Sequence, residues 1–391
     1  MRKRIAIGLM AAGILGCLPL ETDKLSRVLG WPEGETPHAP GAFRVQEFAR
    51  DLVNPRNLFV ASNGDVFVAE ASNSRTEPSA NRITLLRDAN GDGNPEVRVT
   101  FLSGLYQPYG MAIAGDIFYV ANTDGLYAYP YKLGETSPSG PGVRMLALPA
   151  GDDDLHWTRN LLADEAHQKL YVTVGSASNI GENGMQAEYH RANILQVDLQ
   201  TGAELVYASG LRNPVGMAWA PGNTRLWTVV SERDGLPDQP VSDYLTSIEE
   251  GGFYGWPYSY AGKHRDARVP EQKPELVAKA LAPDLDLGAH TVSAGLTFYR
   301  GEQFPSRYRD GAFIGQRGSW DKEQLSGYKV MFVPFLNGMP SGPPENFLSG
   351  FVPDFNRNEV YGQPAAVSVA WDGSLLVADD AGNRVWRVSH K

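Results

Sequence analysis

The chain has 391 residues, 42% hydrophobic and 20% charged, with 45 acidic against 35 basic side chains and a net charge of -10. That mixture describes a folded globular protein and excludes a disordered one, and the acidic balance excludes a nucleic-acid partner. Any anionic ligand would need cations gathered locally.

The N-terminal stretch reads MRKRIAIGLMAAGILGCLPLET. A basic start, an apolar run too short to span a bilayer and small residues before Cys17 form the pattern of an export signal. "ILGC" also resembles a bacterial lipobox, which predicts lipidation at Cys17 and a chain anchored in the periplasm or at the cell surface. Ordinary cleavage nearby is the plainer alternative. Cys17 is the only cysteine, so the exported part has no disulfide and no thiol chemistry. Residues 1–17 read as the signal, 18–44 as a tether with an irregular lead-in, and 45–391 as one domain.

Short β-forming runs then recur, each behind a polar turn: SNGDVFVAEA from Ser62, AGDIFYVANTDGLYAYPY from Ala114, HQKLYVTVGS from His167, NTRLWTVVSE from Asn223, RDGAFIGQRG from Arg309 and WDGSLLVADDAGNRVWRV from Trp371. The first four are spaced by about fifty to fifty-five residues, which suits four-stranded propeller blades. A longer fourth interval leaves room for an insertion around GGFYGWPYSYAGKHRDARVPEQKPE. No stretch sustains a 3.6-residue period. The expectation is an all-β, six-bladed propeller of four-stranded antiparallel blades. In such a fold, loops from several blades converge on one mouth of the channel.

Several stretches carry chemistry. In DANGDGNPE, the oxygens of Asp88, Asn90 and Asp92 alternate around a glycine turn, as at the start of a calcium loop. Val99 stands where an EF-hand needs glutamate, so either a structural calcium loop or an Asx-rich hairpin turn fits. GDDDLHWTRNLL places His156 beside three acids, as a base, a metal ligand or a satisfied core histidine. SGLRNPVGMAW sets Arg212 and Asn213 before Pro214, which holds Asn213 extended; the pair is an ordinary turn or a grip for carbonyls and carboxylates. SERDGLPD, from Ser231, opens an acidic loop able to turn oxygens onto a hard cation. GQRGSWDKEQLSGYKV contributes Arg317, Trp320, Lys322 and Lys329, a cation cluster suited to a flat anion. The other histidines lack paired ligand spacing, and no nucleotide-binding or hydrolase-elbow motif opens a helix.

Taken in order, HWTRNLL…KLYVTVGSASN, SGLRNPVGMAW, ERDGLPD…DYLTSIEEGGFYGWPY, FPSRYRDGAFIGQRGSWDKEQLSGYKVMFVPF and LLVADDAGNRVWRV resemble the soluble quinoprotein sugar dehydrogenases, in their L-sorbosone or aldose dehydrogenase branch. The resemblance implies pyrroloquinoline quinone (PQQ) and calcium at the channel mouth. His156 would be the general base, taking the proton of the substrate C1 hydroxyl as hydride passes to quinone C5. Arg212 and Asn213 would meet the quinone oxygens, and backbone carbonyls of Arg233 and Asp234 would hold calcium. Arg317 and Lys329 would bind PQQ carboxylates, with Arg384 a further candidate and Trp320 stacking on the cofactor plane. In the glucose-oxidising branch an aspartate beside the base, and another at the end of the following strand, orient the histidine. Here Leu155 and Ser176 stand there, leaving Asp154 or Ser176 as the orienting group. Asp321 and Lys322 also depart from the commoner asparagine-arginine ending, which counts against Lys322 as a cofactor ligand. The expected activity is oxidation of an aldose or sugar aldehyde, with electrons passed to an external quinone, cytochrome or dye. The alternatives are a calcium-dependent propeller lactonase and a non-catalytic sugar- or partner-binding propeller.

Overall fold

A computed structural model describes residues 26–72, 79–151, 156–222, 225–236, 241–320 and 324–391. Cys17, Asp154, Asp321 and Lys322 lie outside them. Six antiparallel four-stranded blades follow one another: residues 55–102, 110–147, 161–209, 213–288, 293–348, and 364–390 with Phe43–Ala49 as its fourth strand. That N-terminal strand pairs antiparallel with Arg384–His390, from Phe43↔His390 to Ala49↔Val385, so the two ends of the propeller chain close the ring. No described helix is long and apolar enough to cross a membrane.

Each of the six β-forming runs supplies the second strand of one blade: Val66–Glu70, Ile117–Asn122, Lys169–Val174, Leu226–Ser231, Ala312–Gln316 and Leu375–Asp379. These strands have a neighbouring blade on both faces and are buried almost throughout. They therefore read as continuous apolar runs instead of alternating ones. Outer strands such as Val97–Leu102 and Val143–Ala147 are largely exposed or half-buried. The core is divided among the blade interfaces. Phe43, Phe313, Phe347 and Trp386 fill the junction of the fifth and sixth blades, while Trp227, Leu296 and Ile314 fill that of the fourth and fifth.

Innermost strands crowd around the channel. A Cβ on Gly110 would come within 2.5 Å of Leu161 N, and one on Gly216 within 2.7 Å of Leu296 N, so glycine lets adjacent strands approach. Asn57 Nδ2 donates to Tyr109 O at 3.1 Å and Asn160 Oδ1 at 3.2 Å, and Asn160 Nδ2 to Val215 O at 2.8 Å. These bonds tie the first four blades together just below the mouth. The 251–275 insertion leaves the third strand of blade four. It lays Gly252–Phe253 beside the outer strand of blade three, and Arg233 anchors it through Pro257 O at 3.1 Å and Ser259 O at 2.8 Å.

Candidate active site

First strands begin and second strands end at the same face of the ring. There a cleft of about 780 Å³ is lined by His156, Arg212, Asn213, Asp234, Arg317 and Trp320, together with Arg56, Ser231 and His290. Six of the residues singled out in the sequence, drawn from blades three to five and the loops between them, thus line one cleft.

His156 is buried at the entry to blade three. Its Nδ1 lies 2.9 Å from Ser176 O and 3.1 Å from Ser176 Oγ, and that hydroxyl donates to Ser178 O at 2.6 Å. A carbonyl only accepts, so Nδ1 carries the proton and Nε2 keeps its lone pair. Among the described residues Nε2 has no hydrogen-bond partner. Arg159 fixes the loop from beneath, donating from Nη1 to His156 O at 2.7 Å and Thr158 O at 3.0 Å. Burial and then the neighbouring Arg212 guanidinium hold the His156 pKa well below 6.5, so the imidazole is neutral at pH 7.

Arg212 reaches Glu232 O and Asp234 Oδ2, both at 2.6 Å, and Asn179 O at 3.2 Å. Burial alone would raise the Asp234 carboxyl, but Arg212 and His290 outweigh it and bring the pKa to about 2. Across the cleft, buried Asp380 accepts from Arg56 Nη1 at 2.5 Å and Arg317 Nε at 2.6 Å. Two guanidiniums share one carboxylate, leaving a local surplus of positive charge. Arg56 also lies 5.1 Å over the Trp157 ring.

Three buried polar atoms of residues lining this cleft have no partner among the described residues: Asn213 Oδ1, Ser231 Oγ and Arg56 Nε. A larger cavity, about 920 Å³, opens at the opposite end of the channel around Trp219 and Arg300. No orphaned buried polar atom of the described residues faces it.

The carbonyls expected to hold calcium and the other sequence candidates differ in their surroundings. Arg233 is buried, paired with Glu232 at 2.9 Å and Asp266 at 3.0 Å. The Asp234 carbonyl accepts from Asn179 Nδ2 at 3.0 Å and Arg268 Nη1 at 2.9 Å. Lys329 begins the third strand of blade five, half-buried and outside the cleft lining, with no ion pair among the described residues; burial lowers its pKa. Arg384 pairs with Glu47 at 2.9 Å and lies 5.3 Å over Trp386, holding the ring-closing strands together. Asp88, Asn90 and Asp92 sit in a hairpin turn of blade one, at the far end from the mouth. Asp88 accepts from Gly91 N and Gly93 N, each at 2.7 Å, and its carboxylate groups with those of Asp92 and Glu96.

A family model described as TrAA12-like matches residues 37–250, more than half of the chain. The chain belongs to the TrAA12-like family. It is 30% identical over 111 residues, 28% of each chain, to the aldose sugar dehydrogenase YliI of Escherichia coli. The calcium structure of a Trichoderma reesei enzyme of Carbohydrate-Active Enzymes Family AA12 matches with TM-score 0.76 and 21% identity, covering 91% of this chain and 97% of that one. The holo form of the pyranose dehydrogenase PQQ domain of Coprinopsis cinerea gives 0.75 and 18%, covering 93% and 100%. At these identities the structural likeness establishes the propeller.

Arg56, His290 and Asp380 of this TrAA12-like cleft escape a reading by motif, because each stands alone in its segment. One signal was available. The dipeptide Arg-Asn occurs four times; Arg56–Asn57, Arg159–Asn160 and Arg212–Asn213 stand where an innermost strand begins, and Arg357–Asn358 lies in the loop before the sixth blade. Gly175 is a further requirement, since a Cβ there would fall 2.5 Å from both Asn213 Oδ1 and His156 Cβ. Gly175→Ala should therefore cost about 1–3 kcal/mol by overpacking and lower turnover at least tenfold, read by urea denaturation and steady-state kinetics.

Proposed function

We propose that the protein is an exported, lipid-anchored quinoprotein that oxidises aldoses or sugar aldehydes with PQQ and calcium and passes the electrons to an external acceptor. The observation that carries this reading is a neutral histidine whose Nε2 lone pair meets no described residue, in a cleft lined by three buried polar atoms without partners among the described residues. Each such atom costs about 1–3 kcal/mol when left unmet, a cost that a polar ligand would relieve.

The donor set suits a flat tricarboxylate. Arg56 and Arg317, sharing Asp380, offer guanidinium N–H groups to carboxylates, and Trp320 offers an aromatic face. Calcium needs several oxygen ligands. The Arg233 carbonyl accepts no hydrogen bond from a described residue, and Asn213 Oδ1 is an orphan, whereas the Asp234 carbonyl would have to exchange two donors. When bound, PQQ supplies an electrophilic carbonyl that accepts hydride, and calcium polarises it as a Lewis acid. The protein's own part is proton transfer and positioning. His156 Nε2 takes the proton of the sugar hydroxyl, Ser176 O holds the imidazole in the required tautomer, and ionised Asp234 offsets the charge that develops beside Arg212. The lactonase alternative would use carboxylate and amide calcium ligands and needs no cation cluster. The cleft lining does hold Glu232, Asp234, Asp243 and Asn213, but the paired guanidiniums of Arg56 and Arg317 on Asp380 favour an anionic cofactor.

PQQ titrated into the protein with calcium should give a saturable absorbance change, weakened about tenfold or more in Arg317→Ala, the loss expected for a charge-assisted hydrogen bond. No absorbance change with either cofactor order would refute the reading. Lys329 is paired across the strands with Gln316, the neighbour of Arg317. Lys329→Met should therefore weaken PQQ binding while leaving the thermal midpoint unchanged or raised, because it removes a half-buried ammonium with no ion pair among the described residues. Unchanged PQQ affinity would remove Lys329 from the cofactor site.

A further inference from the structure

The N-terminal lead-in returns to the cleft. Arg27–Val28 pairs in parallel with Glu359–Val360, and Leu29 N donates to Val360 O at 2.8 Å. The Tyr328 hydroxyl, which donates to Ser319 O at 2.7 Å, accepts from Ser26 Oγ at 3.1 Å, and Trp31 Nε1 donates to the Asp379 carboxylate at 2.6 Å. Ser26 and Val28 thereby form part of the cleft wall. Cys17 precedes Ser26 by nine residues, a stretch that spans at most about 32 Å fully extended.

The surface around this strap is unevenly apolar. Fourteen large hydrophobic side chains are exposed among the described residues. Seven of them stand on loops at the mouth: Val28, Leu29 and Phe355 beside the strap, and Val53, Tyr106, Met185 and Tyr189 further round the rim. Four stand at the opposite end and three on outer strands. Scattered exposed apolar side chains are ordinary, but a rim of them beside a lipid-directed tether suits insertion among lipid head groups. Arg27 and Arg357, with side chains 76% and 72% exposed, flank the strap. Their contacts to Glu359 and Asp354 are surface pairs of little energy, which leaves both cations able to meet phosphate.

We propose that the mouth face of the propeller docks against a lipid bilayer, with strap and rim holding the cleft opening toward the membrane. This rests on the anchor in the proposed function and not on the chemistry of the cleft. The test is hydrogen exchange of the full-length protein, with and without phosphatidylethanolamine–phosphatidylglycerol vesicles, alongside flotation. The protein should float with the vesicles. Amides of residues 50–54, 103–109 and 354–360 should exchange severalfold more slowly, and those of 133–139, 334–342 and 371–374 should be unchanged. A Tyr106→Asp/Phe355→Asp variant should still float but lose that protection. Protection at the opposite end, equal protection without vesicles (a second copy of the chain as occupant) or failure to float would overturn the proposal. PQQ-dependent dye reduction in vesicle-free samples reports the cofactor reading separately, so either can fail alone.

Discussion

Replacing His156 with alanine should lower turnover by about two to four orders of magnitude, the contribution of a positioned general base, while leaving PQQ and calcium binding largely intact. The imidazole meets the protein through Nδ1, at Ser176 O and Oγ, and its other nitrogen is left for the substrate. Near-normal turnover in the variant would place the base elsewhere. The same geometry sets the pH response. The base must be unprotonated, and burial with Arg212 keeps its pKa well below 6.5. The acid limb of kcat/KM should therefore lie below pH 6.5, and a limb at or above that value would contradict the assignment. Stability follows the same sign. Between the folded pKa and about 6.5 the unfolded chain binds the proton and the folded one does not. Falling pH in that window therefore destabilises the fold, by up to about 1.4 kcal/mol per pH unit from this group. His156→Gln should remove that component.

The second large effect concerns Asp380. Arg56 is buried, and its one anionic partner among the described residues is the Asp380 carboxylate, which also holds Arg317. Burial alone would raise the Asp380 pKa, and the two arginines outweigh it to keep the acid ionised. Asp380→Ala would strand a buried guanidinium, at a cost of about 3–5 kcal/mol, read as a lowered urea midpoint with an unchanged m value. Asp380→Asn, which keeps an acceptor, should cost less. A loss below about 1 kcal/mol in the alanine variant would show that the pair is not desolvated as described. The pH sign is the same as that of His156, because both folded pKa values lie below the unfolded ones. Asp380 stabilises the fold fully above its unfolded pKa, and that contribution is lost as pH falls through the lower folded value.

The six blades were legible because each second strand is covered on both faces and reads as an unbroken apolar run. The ring closure was not, because Phe43–Ala49 looks like any other edge strand and its partner lies more than three hundred residues away. In the site, His156, Arg212, Asn213, Arg317 and Trp320 stood out through residue type and turn context. Ser176 was one of the two groups expected to orient His156, but that its backbone carbonyl takes the nearer contact is something no side-chain motif encodes. Arg384 shows the converse: a cation near the right strand end is drawn to Glu47 across the ring closure and away from the cleft.

The central claim is that this cleft oxidises sugars through PQQ and calcium. The most direct measurement is sugar-dependent dye reduction by the apo protein with PQQ, with calcium, with both and with neither, over a panel of aldoses and sugar aldehydes. Reduction that appears only when both cofactors are present, and is lost in His156→Ala, is the predicted result. Reduction without PQQ, or none with both cofactors bound across the whole panel, would contradict it.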